Sequence, residues 1–217
     1  MPSIHPDKGK LEQEFASNNA QVVGIDEVGR GCLAGPVCAA AVILDYNKLD
    51  QTDPDLKKLI RDSKTLSSNQ RQKIIPILDD ICLHYEVAVA DVEEIDEVNI
   101  LNATFIAMKR AVNQLPRKSK LFEKRVLLID GNKTISDLKT EQKAIVKGDS
   151  IVFAIAAASI IAKEYRDQLM SELAAQYPQY SFENHVGYGT KAHLQALEEF
   201  GPTVIHRKSF APVRKLL

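Results

Sequence analysis

The 217-residue chain carries 28 Lys and Arg against 29 Asp and Glu, with 45% hydrophobic and 26% charged residues. That balance fits one globular α/β domain and excludes a low-complexity chain, and no stretch approaches the roughly 18 apolar residues of a membrane span. With a formal net charge of −1, a polyanionic partner would have to be met by local basic patches rather than by the overall field.

Residues 1–20 are the least constrained part of the chain and are read as an N-terminal extension. The segment MPSIHPDKGKLEQEF has no apolar signal core, so secretion is not expected. Strand-like segments then fall at residues 21–27 and 36–45, followed by a helix over 67–80 and a strand over 81–91. A helix over 99–115 leads to strands over 126–130 and 142–147, and helices over 149–177 and 190–200 complete the chain. No convincing crossover separates the first two strands. They form a hairpin, and the sheet is mixed.

The pattern that carries most chemistry is QVVGIDEVGRGCLAGPV at residues 21–37. Val22, Val23 and Ile25 make a buried strand that delivers Asp26 and Glu27 to its end. Gly29-Arg30-Gly31 then gives a close-approach backbone with one cation. Acids also end strands because turns favour them. Gly29, Gly31 and Ala34 satisfy a loose dinucleotide fingerprint, but that fingerprint needs a helix next, and the strand VCAAAVIL follows instead. The dinucleotide reading is rejected.

Two further acids occupy similar settings. RVLLIDGN delivers Asp130 to a strand end with Gly131-Asn132 as the turn, and AIVKG leads to Asp149 at the start of the apolar run IVFAIAAASIIA. Spacing alone favours Asp149 as a helix cap, which leaves one carboxylate oxygen free for a cation.

Cys32, Cys38 and Cys82 lack C-x-x-C spacing, which argues against disulfides and structural zinc and fits a reducing cytoplasm. His185 and His193 could share a neighbourhood, and the five scattered histidines are read as structural. Basic groups cluster around Arg61, Lys64, Arg71 and Lys73, between Lys109 and Arg125, and in the tail Arg207, Lys208, Arg214 and Lys215. Most are read as solvated, with a few touching phosphate. The acidic run Asp91, Glu93, Glu94, Asp96 and Glu97 is read as charge at the start of a helix near Asn99 rather than as a second metal site.

Taken together, the motifs resemble the bacterial ribonuclease HII family. GIDEVGRG, DSKTLS at 62–67, EIDEVNILNATFIAMKRAV at 94–112, LLIDGN at 127–132, KGDS at 147–150, AAASIIAKEYRD at 156–167, HVGYGT at 185–190 and HRKSFAPV at 206–213 occur in the family's order. The resemblance covers residues 21 to 214. It implies an α/β ribonuclease H-like fold, a mixed five-stranded sheet flanked by helices, with a helical C-terminal extension, all within a catalytic domain of residues 21–217.

The resemblance also assigns roles. Asp26, Glu27, Asp130 and Asp149 become the catalytic acids and metal ligands, which overturns the cap-only reading of Asp149. Gly29, Arg30 and Gly31 would contact a ribonucleotide 2'-hydroxyl, Tyr188 would pack against the sugar of the adjoining deoxyribonucleotide, and Ser63 and Lys64 align with a loop near the substrate backbone. Cys32 stands where the family usually has proline, and Val186 where it commonly has lysine, which touches loop rigidity and one phosphate contact but no acid.

The implied activity is hydrolysis of the RNA strand of RNA/DNA hybrids and incision 5' to single ribonucleotides in duplex DNA, leaving 3'-hydroxyl and 5'-phosphate ends. Hard carboxylate ligands without thiolates select Mg2+ or Mn2+, and four acids can hold two ions roughly 3.5–4 Å apart, with Asp26 the candidate bridge. One ion lowers the pKa of a bound water and the other stabilises the leaving oxygen. The partners are hybrid and ribonucleotide-containing duplex, with no membrane, and the protein is expected to be a cytoplasmic monomer. Three other readings differ in what they require: a nuclease that processes hybrids alone has no use for Tyr188 and the Gly-Arg-Gly loop, an inactive binding module should have lost an acid, and an enzyme of small phosphate esters has no use for spread basic patches.

Overall fold

The computed structural model describes residues 5–217. Five strands form one mixed sheet in the order β3-β2-β1-β4-β5: β1 Ala20–Val28, β2 Val37–Leu44, β3 Cys82–Ala90, β4 Lys124–Asp130 and β5 Glu141–Ile145. β1 pairs antiparallel with β2, β2 antiparallel with β3, and the pairs β1–β4 and β4–β5 are parallel. The expected hairpin and mixed sheet are present. β2, VCAAAVIL, is buried at every position because both faces of the sheet are covered.

The helices are α1 Lys10–Ser17, α2 Tyr46–Gln51, α3 Pro54–Lys57, α4 Ser68–Ile81, α5 Val92–Gln114, α6 Gly148–Ile151, α7 Phe153–Gln176, α8 Phe182–His185, α9 Lys191–Phe200 and α10 Ala211–Arg214. α4 and α7 cover one face, where Val22, Val42, Leu128, Ile74 and Ile155 meet in one apolar cluster, and α5 covers the other with Ala103, Ala107 and Ala111 against Ile25, Ala41 and Leu127. α7 lies so close to β1 that a Cβ on Gly24 would fall 2.1 Å from the Ala154 carbonyl carbon. A third cluster joins Met170, Tyr180, Phe182 and Leu197 under the C-terminal helices. No helix among the described residues is long and apolar enough to cross a membrane.

Two helix boundaries differ from those expected. The helix assigned to 99–115 begins at Val92, where Asp91 and Glu94 form a reciprocal capping box. Asn99, at φ 69°, breaks it, and its side-chain oxygen accepts from Leu101 N–H and Asn102 N–H, so Asn99 caps a second segment inside the first. The helix assigned to 149–177 is likewise two, because Val152 takes extended angles (φ −121°, ψ 120°) between α6 and α7.

α1 is anchored from within. The Glu12 carboxylate is buried, accepting from the Phe153 and Ala154 N–H groups at 2.8 and 3.0 Å and from the Tyr46 hydroxyl at 2.9 Å. The basic tail expected at residues 207–215 is only partly solvated. Arg207 is fully buried, and Asp96 accepts from the Lys208 and Ser209 N–H groups at 2.9 Å each.

Candidate active site and substrate-facing loop

Parallel pairing sets the position of the first acids. The β1–β4 register runs to Ile25 opposite Ile129, so the next residues, Asp26 and Asp130, leave neighbouring strands side by side at the same end. Asp130 in turn pairs with Ile145 of β5. The chain then reverses through Lys147, which sits in the left-handed region at φ 55°, and the Gly148 N–H donates to Asp130 Oδ1 at 2.7 Å. That bond brings Asp149 beside Asp130. A Cβ on Gly148 would lie 2.6 Å from Ile155 Cδ1 and 3.3 Å from Asp130 Oδ1, so a side chain there would displace the Ile155 methyl.

Electrostatics record how close the acids are. Burial, then the charges of Glu27 and Asp130, push the Asp26 carboxyl well above its usual range, against a hydrogen bond from the Ser159 hydroxyl. Burial also raises Glu27, opposed by Arg30, whose guanidinium lies 3.4 Å from Glu27 Oε1. Asp149 is raised by burial and by the charges of Asp62 and Asp130. Burial lowers the Lys64 ammonium, but Asp26, Asp62 and Glu27 outweigh it and the net shift is upward. Lys64 thus faces the acids from the loop before α4, as Arg30 does from the loop after β1.

Asp149 does not cap a helix. Its Oδ1 accepts from the Ser150 hydroxyl at 3.3 Å, and the N–H groups at the start of α7 go to Glu12 instead. The cap expected at Asp149 is therefore replaced by one from α1.

The loop after β1 is held by two fully buried arginines, each donating to three backbone carbonyls. Arg207 donates to Gly29 O at 2.7 Å, Arg30 O at 3.0 Å and Gly35 O at 2.9 Å. Arg166 donates to Ala34 O at 3.1 Å, Pro36 O at 3.1 Å and Val186 O at 2.8 Å. Gly29 itself is at φ 91°, and a Cβ there would meet the Arg166 side chain at 2.2 Å. Sequence reading missed both arginines, because a guanidinium saturated by loop carbonyls looks the same in sequence as a solvated one.

Tyr188 belongs to the same surface. Cys32 and Tyr188 form an antiparallel bridge, the Leu33 N–H donates to Gly187 O at 2.8 Å, and Tyr188 is 38% exposed. Behind it a relay of neutral rings holds the backbone. The Thr203 N–H donates to His206 Nδ1 at 2.9 Å, His206 Nε2 lies 3.1 Å from His193 Nε2, and His193 Nδ1 lies 2.9 Å from Tyr188 O. With His206 Nδ1 accepting, its Nε2–H must donate to His193, whose Nδ1–H then donates to Tyr188 O. His185 stacks on His193 with ring centroids 4.7 Å apart, the neighbourhood expected from sequence.

The structure thus brings Asp26, Glu27, Asp130 and Asp149 to one end of the sheet, with Lys64 facing them and Gly29, Arg30, Gly31 and Tyr188 alongside. Ser63 is placed differently: its hydroxyl is buried and lies 2.9 Å from Ser159 Oγ. A groove of about 250 Å³ beside Glu27, Arg30 and Asp130 continues to Asn132 and Lys133. The donors suit a hard divalent cation, since the acids crowd together and the cations near them, Lys64, Arg30 and Lys8, are few. Among the described residues, no three such side chains close into a ready-made metal-binding group.

Comparison with known proteins identifies the family. The family model described as Ribonuclease HII matches residues 23–213. A ribonuclease HII of Parvibaculum lavamentivorans is 47% identical over 208 residues, covering 96% of this chain and 72% of that protein. The crystal structure of ribonuclease H2 from Pyrococcus horikoshii OT3 superimposes with a TM-score of 0.69 at 26% identity, covering 90% of this chain and 96% of the other. A Bst ribonuclease HIII solved in complex with Mn2+ shares the fold, with a TM-score of 0.66 at 19% identity over 92% of this chain and 70% of that one. The chain belongs to the ribonuclease HII family and is a nuclease of the ribonuclease H type.

Proposed function

We propose that the protein is a divalent-metal-dependent endoribonuclease that hydrolyses the RNA strand of RNA/DNA hybrids and incises 5' to single ribonucleotides in duplex DNA, leaving 3'-hydroxyl and 5'-phosphate ends. The observation that carries the reading is the register of β1 on β4, which sets Asp26 beside Asp130 next to the Gly29–Gly31 loop. Asp26, Glu27, Asp130 and Asp149 would hold Mg2+ or Mn2+, two ions in all. Bound there, the cations would supply charge to activate water and to stabilise the leaving oxygen.

The chain's own groups do the recognition. The Gly29-Arg30-Gly31 backbone, anchored by Arg207, faces the 2'-hydroxyl, and the exposed Tyr188 ring packs on the neighbouring deoxyribose. Lys64, kept protonated by the acids, meets a phosphate. Ser63 supports that contact from beneath through Ser159. Residues 21–217 form the catalytic unit and residues 1–20 an extension, of which α1 packs on that unit, acting as a cytoplasmic monomer.

Asp130→Asn tests the acid assignment. The reading expects cleavage to fall by at least about a thousandfold with duplex binding retained, and full activity in that variant would remove the assignment.

A further inference from the structure

The residues that position Asp149 lie ahead of the family match, which begins at residue 23. Lys8 Nζ donates to the backbone oxygen of Asp149 at 2.9 Å, and the Gly9 N–H donates to Ile151 O at 3.0 Å. Three residues on, the Glu12 carboxylate spans the first two N–H groups of α7. Lys8 also lies over the Phe153 ring, 5.0 Å from its centroid. Residues 8–12 therefore grip the α6–α7 junction on both sides of the extended Val152.

The physical reason for the grip is the uncapped start of α7. A helix leaves its first four N–H groups without partners, and Val152 has no side-chain oxygen to offer. The side-chain acceptors nearest in sequence are the Ser150 hydroxyl, which donates to Asp149 Oδ1, and the carboxylate of Asp149 itself. If Asp149 turned to cap α7, its oxygens would be withdrawn from the site. Glu12 fills that vacancy from another element, is 1% exposed, and is fixed by the Tyr46 hydroxyl.

We propose that Glu12 and Lys8 are positioning residues for the active site: by capping α7 from outside, Glu12 frees the Asp149 carboxylate to serve as a metal ligand, and Lys8 fixes the Asp149 backbone. The inference rests on the reading of Asp149 as a ligand. It gives the N-terminal extension a function that its weak sequence pattern does not suggest, and it makes metal affinity depend on residues that touch neither metal nor substrate.

The test is Mn2+ binding to the full-length protein without nucleic acid, read from the free-Mn2+ electron paramagnetic resonance signal, for wild type, Glu12→Ala, Lys8→Met, Asp149→Asn and Leu115→Ala. Leu115 packs in the cluster under α5, on the opposite face of the sheet, and serves as a control for lost stability alone. The proposal expects Glu12→Ala to weaken Mn2+ binding roughly tenfold, the scale of a lost supporting contact, and Lys8→Met to weaken it less. Leu115→Ala should lower the melting temperature with no change in Mn2+ binding. Should Glu12→Ala fail to fold, Lys8→Met is judged by the same criterion. Wild-type Mn2+ affinity in the Glu12 and Lys8 variants, beside a weakened Asp149→Asn, would overturn the proposal alone, as would equal weakening in Leu115→Ala. Undiminished Mn2+ binding by Asp149→Asn would overturn the ligand reading and the proposal with it.

Discussion

Gly31 and Tyr188 face each other across the mouth of the site: a Cβ built on Gly31 would have the Tyr188 ring edge, 3.9 Å away, as its one neighbour within 4 Å. That is ordinary contact, so Gly31→Ala should fold with stability within about 0.5 kcal/mol of wild type. On the proposed reading, the added methyl would occupy the space through which a ribose approaches the loop. The expected result is a KM for ribonucleotide-containing duplex raised on the order of tenfold with an unchanged melting temperature, measured by steady-state cleavage and thermal unfolding.

Asp26 should be a residue that costs stability. Its folded-state pKa is raised above the unfolded value, so the fold favours the protonated acid and stability falls as pH rises through the folded value. At neutral pH in chelator, Asp26→Asn should therefore be more stable than wild type by about 1 kcal/mol or more while cleavage is lost. Urea unfolding with a parallel cleavage assay checks both halves.

Arg207→Met should be among the most damaging single changes in the protein. The guanidinium satisfies the carbonyls of Gly29, Arg30 and Gly35, and methionine would leave all three without that donor. A loss of about 3 kcal/mol is expected, and Arg207→Lys should recover only part of it because an ammonium cannot reproduce the planar fork. Chemical denaturation of both variants measures the difference.

The histidine relay predicts a stability slope in mild acid. Burial, then the His193 charge, lowers His206 from 6.5 to about 4. The unfolded chain then binds the extra proton first, so this contribution is fully present above pH 6.5 and is lost as pH falls toward 4. Between pH 7 and 5 the loss should be about 2 kcal/mol. In His206→Gln that slope should flatten, as read from urea midpoints across the range.

The parts of the fold legible in sequence were those written in local patterns. The apolar runs VVGI and VLLI ending in Asp26 and Asp130 marked two strands, and VCAAAVIL following the glycine loop marked the hairpin that makes the sheet mixed. The parts that were not legible depend on partners far away in the chain. Glu12 sits in a short polar segment, and its role exists only because α7, 141 residues later, starts without a cap. The available signal was the apolar residue Val152 directly ahead of a long helix. Arg207 looked like part of a basic tail, and Arg166 drew no notice, because their acceptors are backbone carbonyls of a distant loop. Asp149 was ambiguous for the opposite reason, since capping and metal binding favour the same residue at the same place.

The most direct test is to map the cut in a DNA duplex carrying one ribonucleotide, beside an all-DNA duplex and an RNA/DNA hybrid, with Mg2+, Mn2+ or chelator. Metal-dependent incision 5' to the ribonucleotide, leaving a 3'-hydroxyl and a 5'-phosphate, with the all-DNA duplex intact and the hybrid also cut, is the expected result. Cleavage of the hybrid alone would contradict the junction-reading roles of Arg30 and Tyr188, and binding without cleavage under either metal would contradict the assignment of Asp26, Glu27, Asp130 and Asp149 as a catalytic set.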